Sequence, residues 1–169
     1  MEEYFAWQIR FLEALPEVLR GNLFFRPHPF DFGHDLRKGL SDRYPFLHWD
    51  DRPSFAQSLS RARLLVIDHL GTPMLEALAA DVPTLLFWHP QRWEVREEAQ
   101  PHFDRLRQAG ILLDNPEEAA ARAAEIAMRP GPWWRSPEVQ ETRREFVHRY
   151  ALRHPQWAKV WAEVLQPLM

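Results

Sequence analysis

Residues 64–79 have the sequence LLVIDHLGTPMLEALA, which predicts a buried strand, a polar turn and the start of a helix. An apolar run of strand-forming residues ends at Asp68, and Thr72 followed by Pro73 is typical of a helix N-cap and the first helical residue. The turn therefore lies at the carboxyl end of a sheet strand. Open α/β sheets bind their ligands at that edge, where the free N–H groups of a helix N-terminus attract phosphate.

Glu76 is a residue of this helix that capping does not explain. A capping-box acid lies three residues after the N-cap. If Thr72 is the N-cap, that position is Leu75, and Glu76 comes one position later. Glu76 is therefore a candidate to face a ligand; the alternative is a surface glutamate favoured by the helix dipole. The candidate binding residues of the segment are Asp68, His69, Gly71, Thr72 and Glu76.

Five apolar runs along the chain predict five short strands, separated by helices. This alternation favours a parallel sheet with helices on both faces and right-handed crossovers. We therefore expect an α/β fold with a doubly wound, mainly parallel, five-stranded sheet in a single domain over residues 1–169. The predicted strands cover residues 22–25, 46–49, 64–68, 84–88 and 111–113.

Helical periodicity accounts for most of the remaining chain. Gly110 closes one predicted helix, and Asn115 caps the next. Terminal helices over residues 137–169 are expected to pack across the domain. The predicted helices cover residues 3–15, 54–62, 73–80, 93–109, 116–128, 136–152 and 155–165.

A second candidate site follows the first predicted strand, where Arg26, Pro27, His28 and Pro29 succeed one another. An extended chain points Arg26 and His28 to one side, and the prolines stiffen the backbone. If the strands are parallel, these two cationic groups and residues 68–72 share one sheet edge and could bind one anionic ligand. The alternative is a proline-rich loop with a surface arginine and a histidine held by a backbone hydrogen bond.

A third candidate site, residues 88–96 with the sequence WHPQRWEVR, follows the fourth predicted strand. Trp88 could stack on a sugar ring, and Glu94 or Arg96 could meet hydroxyl groups or charge. The alternative is that Trp88 and Trp93 pack and that Arg96 pairs with an acid.

Eight tryptophans are many for 169 residues, and such an excess indicates core or interface packing more often than sugar binding. Trp133 and Trp134, together with residues 140–144, are expected to pack the terminal helices on the sheet layer. An exposed apolar patch involving Trp7, Trp88 or Trp93 is expected where a second domain could cover it.

Composition and missing motifs exclude several classes of protein. The net charge is −3 with no basic stripe, which argues against nucleic acid as a partner. The chain has no cysteine, which excludes a disulfide framework and a thiolate metal site. It has no basic and apolar leader and no apolar run long enough to cross a bilayer, so we expect a cytoplasmic protein without a transmembrane segment. P-loop, dinucleotide-binding, nucleophile-elbow and metal-ligand motifs are missing, so no metal and no cofactor are expected.

An ordered series of short motifs resembles the carboxy-terminal, donor-binding half of GT-B type glycosyltransferases. Within that group the chain is most similar to a transferase family of bacterial surface-carbohydrate gene clusters. The resemblance covers residues 4–150. It rests on residues 26–33, 72–79, 82–84, 87–88, 93–96, 110–111, 133–134 and 139–140.

The resemblance implies a Rossmann-like domain that binds a nucleotide-activated sugar for surface polysaccharide or lipopolysaccharide biosynthesis. It places the Thr72 turn on the phosphates, Glu76 on the ribose, and Arg26 and His28 on the diphosphate. It also implies that the acceptor glycan or lipid and the general base belong to an amino-terminal domain that this chain lacks. The chain departs from the family pattern at His28, often aromatic there, and at Pro73, often a second threonine.

Two other functions fit the same layout. The first is half of a sugar-nucleotide epimerase or of a polyol-phosphate transferase, which also has His-Pro after a strand. The second is an α/β interaction module without enzymatic activity, whose tryptophan-rich face binds a partner protein. No catalytic residue is assigned, and transfer by this chain alone would require a base among His28, His69, His89 and Glu94.

Overall fold

The structure is a computed structural model that describes residues 2–28, 36–152 and 154–166. Short strands alternate with helices along the chain, as the sequence predicts. In order, the elements are α1 (Glu2–Ala14), α2 (Glu17–Arg20), β1 (Phe24–Phe25), α3 (Leu36–Arg43), β2 (His48–Trp49), α4 (Phe55–Leu59), β3 (Leu65–Ile67), α5 (Thr72–Ala79), β4 (Thr84–Phe87), a 3₁₀ turn (Glu97–Ala99), α6 (Gln100–Gln108), β5 (Leu112–Leu113), α7 (Pro116–Ile126), α8 (Pro130–Trp134), α9 (Pro137–Tyr150) and α10 (Trp157–Leu165).

The strands form two parallel sheets instead of the single five-stranded sheet expected from the sequence. One sheet has the order β3-β4-β5, and the other pairs β1 with β2. All five predicted strands are present, but the described part of the chain has no ladder between β1 or β2 and the larger sheet. β1 is two residues long, and Pro27 close behind it has no N–H to extend a ladder.

Helices cover both faces of the three-stranded sheet. Along β4 and the residue after it, the side chains alternate between two apolar clusters. Leu86 and Trp88 pack with α5, α6 and α9 on one face, and Leu85 and Phe87 pack with α1, α3 and α7 on the other. Phe11 of α1 stacks on Phe87 with 5.0 Å between the ring centroids.

Two helix ends follow the sequence signals, and the start of α5 departs from them. Asn115 caps α7 by accepting the Glu118 N–H at 2.8 Å, and Gly110 takes a φ of +66° after α6. α5, however, begins at Thr72, with Gly71 as its N-cap, because Gly71 is extended and Thr72 is already helical.

The predicted helix over 93–109 is wrong in its first part. The N–H groups of Arg92 and Trp93 bond back to the His89 carbonyl, which closes a turn there. Arg96 has an extended backbone, with φ −60° and ψ 148°, and the chain becomes helical only in the 3₁₀ turn and α6.

Asp81 is the one described non-glycine residue with a positive φ, 59°, and three side chains of the carboxy-terminal region hold it. The Trp134 Nε1–H lies 2.8 Å from Asp81 Oδ1 and 3.2 Å from the Asp81 carbonyl oxygen. Gln140 donates to the same carboxylate, and Arg143 lies 3.0 Å from it while donating to the Leu78 carbonyl at 2.8 Å. These contacts confirm that Trp134 and the start of α9 pack on the sheet layer.

The terminal helices differ in their burial. α9 packs on α5 and α6, where Phe146 meets Phe103 edge-on at 5.2 Å. The expectation that the last helix also packs across the domain is wrong. Every described side chain of α10 is exposed, and none belongs to either apolar cluster.

Candidate functional site

The turn between β3 and α5 carries a hydrogen-bonded network around Asp68. The Asp68 carboxylate accepts the Tyr4 hydroxyl at 3.0 Å and the Gln8 amide at 2.5 Å, both from α1. It also lies 3.0 Å from Nδ1 of His69. Only 23% of the Asp68 side chain is exposed, so this polar cluster is largely enclosed at the carboxyl end of a central strand.

Asp68 is a carboxylate at neutral pH. Burial alone would raise its pKa, but hydrogen bonds from His69, Gln8 and Tyr4 outweigh burial and hold the pKa below its ordinary value. Burial, followed by the Asp68 charge, raises the pKa of Tyr4, so the phenol keeps its proton. The network therefore has a fixed charge and fixed donors.

His69 is oriented by this carboxylate. Because Asp68 is an acceptor, the proton of a neutral His69 ring belongs on Nδ1, which leaves Nε2 without one. The ring lies against Gly71, where an added Cβ would be 3.0 Å from Cδ2 and 3.2 Å from Nε2. The extended backbone of Gly71 suits any residue, so a side chain here would only require the His69 ring to shift by a few tenths of an ångström.

The N-terminus of α5 is not capped by any side chain that the structure describes. The Met74 N–H turns back to the Gly71 carbonyl at 3.2 Å. The N–H groups of Gly71 and Thr72 have no hydrogen-bond acceptor among the residues that the structure describes. Thr72 and Glu76 are exposed, and Glu76 makes no ion pair within the described chain.

The first helix joins two loops at this sheet edge. Tyr4 and Gln8 contact Asp68, and Glu3 binds Arg92 of the loop after β4 at 2.6 Å and 2.9 Å. Neither Tyr4 nor Gln8 was a candidate from the sequence alone. The available signal was a polar residue at helical spacing within the buried stripe of α1.

Gln8 leaves one acceptor unused. Its side chain is 6% exposed, and its Nε2 donates to Asp68, but Oε1 is buried without a hydrogen-bond partner in the described structure. A buried unsatisfied oxygen costs about 1–3 kcal/mol. The site thus places the Asp68 carboxylate beside backbone donors at Gly71 and Thr72.

Arg26 follows β1 and donates hydrogen bonds to the segment after β2 and to α4. Its Nη1 donates to the Arg52 carbonyl at 2.9 Å and lies 3.4 Å from the Asp50 carbonyl and 3.3 Å from Ser58 Oγ. Burial would raise the pKa of Asp50, but hydrogen bonds from Ser58 and Arg52 hold it below its ordinary value. Within the described residues, no contact brings Arg26 to the turn at Asp68.

The rest of the second candidate site is only partly described. His28 is exposed. Pro29 and residues 31–33, which carry part of the family resemblance, lie outside the described residues.

The third candidate site borders a cavity of about 250 Å³. Trp88 is 3% exposed and meets Phe103 edge-on, so it belongs to the core and not to the expected exposed patch. Trp93 is half-buried, Glu94 is exposed at the cavity, and Arg96 is exposed without lining it. The cavity lining is Trp88, Pro90, Trp93, Glu94, Val95, Gln100, Phe103 and Arg107.

The described residues include neither a metal-ligand cluster nor a membrane-spanning helix. No three of their histidine, aspartate or glutamate side chains converge on a point that could hold a metal ion. No helix in those ranges has the length and apolar character to cross a membrane.

One protein family matches residues 1–165 of the chain, and its description is LIC12162 family transferase. No curated protein and no solved structure matches the chain significantly.

Proposed function

The chain belongs to the LIC12162 family of transferases, and from this membership we propose that it binds the nucleotide-activated sugar donor of a glycosyltransferase. The transferase would build surface polysaccharide or lipopolysaccharide. The observation that carries the proposal is the Asp68 network beside the uncapped N-terminus of α5. Phosphate suits the backbone donors and the helix dipole there, whereas hydroxyl groups suit the nearby acceptors.

In this proposal the donor's phosphates bind at the N–H groups of Gly71 and Thr72. His69, held by Asp68, lies beside them. The exposed carboxylate of Glu76 binds the ribose hydroxyls.

Residues 1–169 would form one Rossmann-like domain, the donor half of the enzyme. A second half would bring the acceptor glycan or lipid and the general base. Donor binding at the Asp68 network would not require any described side chain there to act as the general base.

A panel of nucleotides tests the proposal. Titration calorimetry with UDP, GDP, CDP, CMP and dTDP is expected to show binding by at least one of them. The same ligand should raise the melting temperature, because it binds the folded state alone. A folded chain that binds none of the panel at millimolar concentration would contradict donor binding and favour an interaction module.

Glu76→Gln tests the ribose contact. The substitution is expected to weaken nucleotide binding by about 1.5–3 kcal/mol, the range for a hydrogen bond to a charged group. Stability should change little, because Glu76 is exposed. Glu141→Gln, an exposed glutamate on α9, is the matched control. Equal affinities for both variants and the unmodified chain would make Glu76 an ordinary surface residue.

A further inference from the structure

A series of side-chain contacts joins the N-terminus of α5 to the cavity beside Trp93. The His69 ring lies against Gly71, where an added Cβ would be 3.0 Å from Cδ2. The centroid of the same ring is 6.2 Å from that of Trp93, and Trp93 lines the cavity. Gly71, His69 and Trp93 therefore lead without a break from the backbone donors of the helix to the cavity.

The size of this cavity suits one sugar ring and not a nucleotide. Its volume is about 250 Å³. Sites for drug-sized ligands occupy roughly 300–1,000 Å³. A nucleotide is a ligand of at least that size, whereas a single sugar ring is much smaller.

The lining combines an aromatic ring with hydrogen-bonding groups. Trp93 is half-buried, so part of its indole ring is open to a ligand. Glu94 is exposed at the cavity, and Gln100 donates through Nε2 to Asp104 at 2.9 Å, which leaves its Oε1 as a second acceptor. A sugar ring has an apolar face for the aromatic ring and hydroxyl groups for the acceptors.

The charge of the lining is negative. Arg107 is the only basic residue of the lining, and its guanidinium is held by two carboxylates, Asp104 at 3.0 Å and Asp114 at 2.8 Å. Glu94 makes no ion pair within the described part of the chain. A carboxylated sugar would meet the charge of Glu94 here without an arginine that is free to bind it, and like charges repel.

We propose that this cavity binds the sugar of the donor and that this sugar is uncharged. The proposal rests on the proposed donor site, because the phosphates at Gly71 and Thr72 place the sugar on the side of His69 and Trp93. Trp93 takes the role that the sequence suggested for Trp88, which is 3% exposed and belongs to the core. Glu94 accepts sugar hydroxyl groups and disfavours uronic and other acidic sugars.

Sugar 1-phosphates test the proposal whatever the base of the donor, because they carry only the phosphate and the sugar. Glucose, mannose and N-acetylglucosamine 1-phosphates are titrated into the isotope-labelled chain. At least one of them should shift the indole N–H signal of Trp93, whereas inorganic phosphate should shift only the amides of Gly71 and Thr72. Glucuronic acid 1-phosphate should bind about three-fold more weakly than glucose 1-phosphate, because of its extra charge.

Two substitutions assign these effects to the cavity. Glu94→Gln keeps an acceptor oxygen but removes the charge, so it should abolish the difference between glucose and glucuronic acid 1-phosphates. Glu97→Gln is the matched control, because Glu97 is exposed nearby but does not line the cavity. Trp93→Ala should weaken binding of the sugar phosphate about ten-fold and leave the response to inorganic phosphate unchanged.

Trp157→Ala is the control for the tryptophan variant, because Trp157 is 66% exposed and lies outside the cavity. Trp93→Phe keeps an aromatic ring and should bind with intermediate affinity, and circular dichroism should show every variant folded. If phosphate shifts Gly71 and Thr72 but no sugar phosphate shifts Trp93, the sugar site is wrong while the donor site stands. If neither phosphate nor any nucleotide shifts those amides, both are wrong. Tighter binding of glucuronic acid 1-phosphate than of glucose 1-phosphate would also overturn the proposal.

Discussion

Replacing Trp134 by alanine is expected to lower the free energy of unfolding by about 3–5 kcal/mol, the range for removing a buried tryptophan. Trp134 is 3% exposed and belongs to the cluster around α5, α6 and α9. Its Nε1–H also bonds both the carboxylate and the carbonyl of Asp81, whose backbone is left-handed. Chemical denaturation followed by circular dichroism measures the change.

Trp134→Phe separates the two contributions. The phenylalanine ring keeps much of the apolar contact but has no N–H for Asp81, so the loss should be smaller, about 1–3 kcal/mol. A loss below about 1 kcal/mol for the alanine variant would contradict the burial of Trp134.

Asp68→Ala is expected to lower the free energy of unfolding by about 2–4 kcal/mol at neutral pH. The change leaves the enclosed Tyr4 hydroxyl and Gln8 amide without their acceptor. Because the folded-state pKa of Asp68 lies below its unfolded value, this contribution is fully present above about pH 4. It is lost as the pH falls through the folded-state pKa.

The pH dependence is measured as the difference in stability between the unmodified chain and the variant. That difference should shrink as the pH falls below about pH 4. Asp42→Ala, an exposed aspartate of α3 with no ion pair among the described residues, is the control and should show little difference. A difference for Asp68→Ala that stays the same at acid pH would contradict the charged network.

Local signals made the elements of the fold predictable. The apolar runs located all five strands, and Asn115 and Gly110 marked helix ends, because each signal acts within a few residues. The division into two sheets depends on pairing between distant strands, which no local signal specifies. The exposure of α10 was missed for the same reason, since amphipathicity shows that a helix has an apolar face but not what covers it.

The candidate site was predictable where it follows from strand, turn and helix in sequence. Asp68, His69 and Gly71 do lie together after β3. Tyr4 and Gln8 were missed because more than fifty residues separate them from Asp68 in the chain. The contacts of Arg26 and Trp88 with the protein interior likewise depend on distant residues, Asp50 and Phe103 among them.

Amide chemical shifts of the labelled chain test the account's central claim, that the donor's phosphates bind at the N-terminus of α5. On titration with UDP, GDP, CDP and dTDP, the amides of Gly71 and Thr72 should shift with at least one of them. The amide of Gly110, which already donates to the Arg107 carbonyl, should stay in place. Unchanged Gly71 and Thr72 amides with every nucleotide, or shifts confined to the cavity beside Trp93, would contradict the account.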